Sequence, residues 1–387
     1  MAQIKPPFET FARIKVVGVG GGGNKAIQRM MASKIHGVEF VAVNLDAQDL
    51  NIANAPTKIL IGKNITRGLG AGMNPEIGQK AAQENKDEIS EALKGSDMVF
   101  ITAGLGGGTG TGAAPVIAEI SRDLGALTIG VVTKPFSFEG MARMRIAEEG
   151  WAQLRDKVDA LITISNDRLL SIIDRKTPLL EAFHKVDDVL HQGVQGISDL
   201  ITVPGIINVD FADVRTIMQN SGSALMGIGT ASGEDRAIDA AKAAINSPLL
   251  DISIDGARGV LFNVSGASDL AMSEISEAAK IITASIDPNA KVIFGAVQDD
   301  NLKKGEIQVT VIAAGFNAPM AKSAAAAQTT TFFGAPNGNG SLISKRDEPM
   351  IPEKPLPGGR QGVPEVVDST VEEDEFEIPA FIRRKMK

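Results

Sequence analysis

From Ile14 onward, short apolar runs rich in β-branched residues alternate with stretches whose apolar positions recur at helical spacing. IKVVGVG (14–20), VEFVAVNLD (38–46), DMVFITAG (97–104) and LTIGVVT (127–133) read as strands, while NKAIQRMMASK (24–34) and APVIAEISRDL (114–124) read as helices. This βαβ succession predicts a doubly wound, Rossmann-like parallel sheet. Leu179, Phe183, Val186, Leu190, Val194, Ile197 and Ile201 keep helical register, which predicts one long helix after Pro178. Beyond it, helical EDRAIDAAKAAI (234–245) and LAMSEISEAAKIITASI (270–286) alternate with strand-like GVLFNVSG (259–266), AKVIFGAVQD (290–299) and EIQVTVIAAGF (306–316). That is enough for a second, smaller α/β domain.

After Phe316 the pattern fades into Ala, Gln, Thr, Gly and Pro, a composition that does not build a packed core. The expected organisation is an N-terminal extension (1–11), a parallel-sheet domain (12–178), a central helix and connection (179–205), a second domain (206–316), a flexible linker (317–373) and a terminal peptide (374–387). Treated as a flexible chain, the linker would reach about 40 Å. The terminal DEFEIPAFIRRKMK has an acidic lead, an apolar centre and a basic finish, the pattern of a docking peptide; the alternative is a solvated tail.

Composition narrows the chemistry. The 387 residues are 43% hydrophobic with a formal charge of −8, so the overall field repels phosphate backbones and gives no support for nucleic-acid binding. Cys is absent and only His36, His184 and His191 occur, which removes thiolate catalysis, Cys-ligated metals and histidine clusters. MAQIKPPFETFARIK lacks the apolar core of a signal peptide, and no apolar run is long enough to span a bilayer, so the expectation is a cytoplasmic protein.

Two glycine runs follow strands and lead into helices. Gly18-Val-Gly20-Gly21-Gly22-Gly23, followed by Asn24 and Lys25, matches the dinucleotide pattern, and Asp46 ends the second strand where a ribose-binding acid would lie. An NAD-dependent oxidoreductase and a plain tight turn are both open readings of that loop. Gly106-Gly107-Gly108-Thr109-Gly110-Thr111-Gly112 is more specific. Its backbone N–H groups can approach phosphate oxygens, its hydroxyls can donate, and a helix N-terminus follows. A third segment, Thr66 to Asn74 with Ala71 and Gly72, is placed to close over a terminal phosphate.

GGGTGTG together with TRGLGAGMNPEIG, KPFSFEG and NVDFADVRTIM resembles the FtsZ family, bacterial division relatives of tubulin. The resemblance runs from about Ala12 to Phe316 and reappears in the terminal IPAFIRRK. It implies a GTP-binding domain, a long central helix, an activation domain, bound GTP or GDP with Mg2+, and head-to-tail filaments forming a division ring at the cell midpoint. Binding of membrane-tethering and other division proteins would fall to the terminal peptide.

The resemblance assigns guanine contacts to Asp187, whose carboxylate can accept from N1–H and the exocyclic amine, and to Asn166. Phe183, four residues before Asp187, would stack on the base. Glu139 and Arg143 match contacts near ribose and phosphates, although their i,i+4 spacing also suits an ordinary ion pair. Lys25, Leu45 and Met73 depart from the family's usual Asn, Thr and Ala.

The glycine loops offer no acid to hydrolytic water. Asn208-Val-Asp210-Phe-Ala-Asp213 offers two carboxylates at a helix start, where helix capping is the local reading. The resemblance instead makes this the loop entering the next subunit's pocket, with Asp210 and Asp213 acting on water and Asn208 completing the contact. Three classes stand at this point: a polymerising GTPase, a GTP-binding filament protein without turnover, and the oxidoreductase. No residue pattern points to metal ligands.

Overall fold

The computed structural model describes residues 12–316, apart from 34, 36, 173–176, 204, 208, 248–252 and 300–301. The first half runs β1 (Ile14–Val19), α1 (Gly20–Ala32), β2 (Val38–Asn44), α2 (Ala47–Ile52), β3 (Thr57–Leu60), α3 (Lys63–Thr66), α4 (Pro75–Glu84), α5 (Lys86–Leu93), β4 (Met98–Gly104), α6 (Gly108–Asp123) and β5 (Leu127–Lys134). It continues with α7 (Met141–Arg155), β6 (Ala160–Ser165), α8 (Asn166–Ile172), α9 (Leu179–Thr202), α10 (Phe211–Met218), β7 (Gly222–Ser232), α11 (Arg236–Ile245), β8 (Gly259–Gly266), α12 (Met272–Thr283), β9 (Lys291–Gln298) and β10 (Glu306–Ala314).

All ten strands join one sheet, in the order β3-β2-β1-β4-β5-β6-β7-β10-β8-β9. Pairing is parallel from β3 to β7, turns antiparallel on both sides of β10, and is parallel again between β8 and β9. The order reverses direction between β1 and β4, and a crevice opens beyond the C-terminal ends of the strands at such a switch point. The glycine runs after β1 and β4 both open there.

The predicted long helix is α9. Val186, Leu190, Val194 and Ile197 are buried along one face. Gly193 and Gly196 let it settle onto the side chains of Met226 of β7 and Thr310 of β10, where an added Cβ would crowd them. The sequence pattern missed β7, because Gly222, Gly227 and Gly229 break its alternation. Gly227 and Gly229 have a packing cause: a Cβ on Gly227 would overlap the Ala244 carbonyl and one on Gly229 the Ala240 carbonyl, so α11 lies directly on the strand, whereas Gly222 serves a positive φ of 71°.

Both glycine-run helices begin earlier than expected. α1 starts at Gly20 rather than Asn24, and α6 starts at Gly108, inside the run read as loop. Among the described residues no helix is long and apolar enough to cross a membrane. The expected extension 1–11, linker 317–373 and terminal peptide 374–387 lie outside the described residues.

Candidate functional site

Close backbone approaches bring the three glycine segments together. A Cβ built on Gly20 would lie 3.1 Å from the Gly110 nitrogen, and one on Gly22 would lie 3.5 Å from Gly104 Cα. On Gly108 it would meet Ala71 Cβ at 2.6 Å and the Asn74 nitrogen at 2.8 Å. Gly106, at φ +94°, has Arg143 Cγ 2.9 Å from the same built position. Gly107 faces open space, with nothing within 4 Å. Between these contacts Gly107 is left uncovered where α6 begins, as are Gly70 and Gly72 in the third segment.

At that opening the first amides of α6 have no intrahelical acceptor, and the helix dipole is positive. The correction to the helix start therefore matters: Gly108, Thr109 and Gly110 belong to the first turn rather than to a loop preceding it. Thr111 closes the turn by accepting from Gly106 N through Oγ1 at 2.9 Å, so its hydroxyl oxygen is structural.

Gly23 and Asn24 are buried on α1, whereas Gly21, Gly22 and Lys25 are exposed. Both polar atoms of the Asn24 side chain are buried without a partner. So are Asn166 Oδ1 at the start of α8 and Arg143 Nε. Buried polar atoms ordinarily find partners, so these orphans are open to a ligand or ordered water, as are Thr102 Oγ1, His191 Nε2 and Asn263 Oδ1. Ala71 is buried and Gly72 exposed in the third segment, where Arg67, Gly68, Gly70, Gly72 and Met73 all take positive φ. Met73 is a non-glycine residue at φ 63°, a costly backbone conformation. Leu45 is fully buried in the core, so that departure is a packing change.

Glu139 and Arg143 form the i,i+4 ion pair at 3.0 Å, and Glu139 also accepts from Phe136 N at 2.9 Å. Asp46 is not a free ribose acid: it caps α2, accepting from Gln48 N at 2.8 Å and Asp49 N at 3.2 Å.

Asp187 sits half-buried on α9, and burial pushes its carboxyl up to about 6, against the opposing charges of Arg29, His184 and Lys25. Phe183 lies four residues earlier on the same helix; its side chain is outside the described residues. Sequence reasoning missed the clamp beside them. Arg29 of α1 bonds Asp188 at 3.1 Å and His184 Nδ1 at 2.8 Å, which fixes α9 against the helix bearing the first glycine run. Its one available signal was its place a helical turn after Lys25.

The acidic pair is elsewhere. Asp210 caps α10, accepting from Ala212 N at 3.2 Å, as the local reading held, and Asp213 is exposed in the first turn. Arg215, two residues on, donates to the carbonyl of Gly125 at 2.7 Å, just past the C-terminal end of α6. The glycine cradle is at the other end of that helix, whose 16 residues span about 24 Å. Asn208 lies outside the described residues.

Two family models match the chain: the tubulin/FtsZ family GTPase domain over residues 13–174 and the FtsZ family C-terminal domain over 222–317. Among solved structures, an empty FtsZ dimer from M. jannaschii is 50% identical, with TM-score 0.76, covering 79% of this chain and 89% of that one. A mutant of the M. jannaschii FtsZ gives the same identity and TM-score, covering 79% and 92%. CetZ2 from Haloferax volcanii, at 21% identity and TM-score 0.67 over 79% and 93%, shares the fold. With the cradle at the switch point and two family models side by side, the chain belongs to the FtsZ family of tubulin-like GTPases.

Proposed function

We propose that this chain binds GTP in the cradle around Gly107 and polymerises head to tail, each subunit's Asp210 and Asp213 completing hydrolysis in the subunit below. The observation that carries this reading is the separation along α6. A helix of about 24 Å stands between acids and cradle, so one chain cannot bring both to one phosphate, whereas end-to-end stacking can. Such a contact is heterologous and does not close on itself, so it builds filaments.

Exposed apolar side chains favour the same surfaces. Leu69, Met73, Phe138 and Met141 stand in or beside the cradle segments, and Ile206 stands just before Asp210. Large apolar groups left in water near two complementary sites suit an interface. A solved relative, the M. jannaschii FtsZ, was obtained as a dimer.

Asn24, Asn166 and the α6 amides bind and orient the nucleotide, and Asp187 accepts from the guanine edge. The acids orient water for in-line attack on the terminal phosphate, accepting its proton as charge moves to the leaving oxygen. Among the described residues no three His, Asp or Glu side chains converge on a metal position. Mg2+ would rest mainly on the nucleotide's phosphates and water, neutralising their charge. The terminal peptide 374–387 is proposed to bind tethering proteins, which would place the filaments at the division site.

Complementation tests the shared site. Asp213→Ala keeps the cradle, and Gly107→Ala keeps the acids while filling the phosphate opening. Each alone should release phosphate at least 100-fold more slowly than the parent, and an equimolar mixture should regain turnover well above the sum. A mixture that merely equals the sum would show that acids and nucleotide work within one chain. Asp213→Ala with full turnover would leave the acids a purely structural role.

A further inference from the structure

The clamp between α1 and α9 joins the two ends of the proposed nucleotide site. α1 opens with the first glycine run, and Arg29 stands in its last turn, about 14 Å along the helix from Gly20. There the half-buried guanidinium crosses to α9 and holds two side chains one turn apart. Nε donates to Asp188 at 3.1 Å, and Nη1 donates to His184 Nδ1 at 2.8 Å. A guanidinium only donates, so the imidazole nitrogen accepts. Asp187 lies between these two anchors in the chain. A planar fork bound at two points fixes both the height and the rotation of α9 at that turn, where a single bond would let the helix swivel.

The same cation acts on Asp187 itself. It is the strongest of the charges that oppose burial of that carboxyl, ahead of His184 on α9 and Lys25 on α1, while Asp188 acts the other way. Among the described residues Asp187 makes no hydrogen bond or ion pair, because the guanidinium spends its donors on Asp188 and His184. The Asp187 oxygens are thus left for a ligand. Guanine sets two conditions on such an acceptor: its oxygens must face N1–H and the exocyclic amine together, and it must be ionised, since a protonated carboxyl loses acceptor capacity. Arg29 serves both, the first by its two bonds and the second by its charge.

We infer that Arg29 is a positioning residue for the base: it holds α9 so that the Asp187 carboxylate meets both guanine donors, and thereby sets the preference for GTP over a purine nucleotide without the amine. The inference rests on the reading of Asp187 as the guanine acceptor. A cation that merely attracts phosphates would strengthen every triphosphate alike. A clamp that aims the carboxylate strengthens GTP more than ITP, whose base lacks the amine.

The test measures binding of GTP, ITP and inorganic triphosphate to the full chain, diluted until no polymer sediments. The parent should prefer GTP to ITP by about tenfold or more, and Asp187→Ala should erase the preference. Arg29→Met keeps an apolar stem; it should cut the preference to about threefold or less while inorganic triphosphate stays within about threefold of the parent. It should also raise the pH at which GTP affinity falls, by about half a unit, because the main charge opposing burial of Asp187 is gone. Asp188→Ala, on a half-exposed helix face, removes one anchor and spares the cation. It should cut the preference as well, yet lower that pH, since a neighbouring negative charge has left. Arg29→Lys should restore the pH and only part of the preference, because an ammonium is a point charge rather than a fork. An Arg29→Met variant that weakens all three ligands by one common factor would overturn the inference, reducing Arg29 to a diffuse charge. So would a preference kept by both Arg29→Met and Asp188→Ala but erased by Asp187→Ala, an outcome that leaves the guanine contact standing without the clamp. A preference that survives Asp187→Ala would remove the guanine reading and this inference with it.

Discussion

The two ends of α6 differ in how finished they are. On the side of the glycine segments, Asn24, Asn166 and Arg143 carry buried polar atoms without partners, Arg143 beside Gly106, and Gly107 is left uncovered. At the C-terminal end the neighbouring groups are paired: Asp210 caps its helix, Arg215 bonds the Gly125 carbonyl, and Arg122 reaches Asn220 at 2.9 Å. An end with unmet polar groups is built to receive a ligand, since leaving them unmet costs stability. Asp213, exposed and without an ion pair among the described residues, is the group that the proposed contact with a second subunit would use. On the reading proposed above, the contrast separates binding, supplied by one chain, from turnover, shared between two.

The strongest way to break the contrast is to spoil the unfinished end. Gly108→Ala drives a methyl group into Ala71 and the Asn74 backbone, so the second and third segments must part. We expect a loss of about 2–3 kcal/mol in denaturant unfolding and no measurable GTP binding. Gly107→Ala, in open space, should leave stability within about 0.5 kcal/mol. Equal destabilisation by the two would mean that the opening is not where it appears in this fold.

A smaller effect sharpens the same end by pH. Burial raises Asp187 to about 6, so in the nucleotide-free protein its ionised form costs stability fully above that pH, and the cost fades towards the ordinary value of 3.8. After discounting for its partial exposure, Asp187→Asn should stabilise the free protein by about 1 kcal/mol at pH 7.5 and hardly at all at pH 4. The same change should weaken GTP at least tenfold, because a carboxylate that accepts from guanine is gone. In the parent, GTP affinity should fall as pH drops through 6, since the protonated carboxyl loses acceptor capacity. Calorimetric titration across pH 5 to 8 reads both.

The smallest expected change is at the finished end. Asp210→Ala removes the α10 cap and should cost about 1 kcal/mol in thermal unfolding, with GTP affinity unaltered. A drop in affinity would tie the two ends together within one chain.

Much of this was legible in local pattern. The strands β1, β2, β4, β5, β8, β9 and β10 and the helix α9 announce themselves by period, because burial on one face repeats every two residues or every 3.6. The glycine runs named the cradle, because close backbone approach excludes a Cβ whatever lies opposite. Where local pattern failed, a distant partner was responsible. β7 lost much of its alternation to Gly227 and Gly229, which admit α11, and Arg29 looked like any helix arginine until α9 was packed beside it. The early start of α6 also depends on neighbours, since Gly108 and Gly112 are in place to admit Asn74 and Pro75.

The sequence by itself therefore determined the fold class, the three glycine segments and the family to which they belong. Each of these is carried by residues close together in the chain and by steric limits that hold anywhere. Only the tertiary structure decided that the three segments meet, that Asp46 is a cap, and that Asp210 and Asp213 stand a helix length from the glycine segments. Those are distances between residues far apart in sequence, fixed by how ten strands order themselves in one sheet.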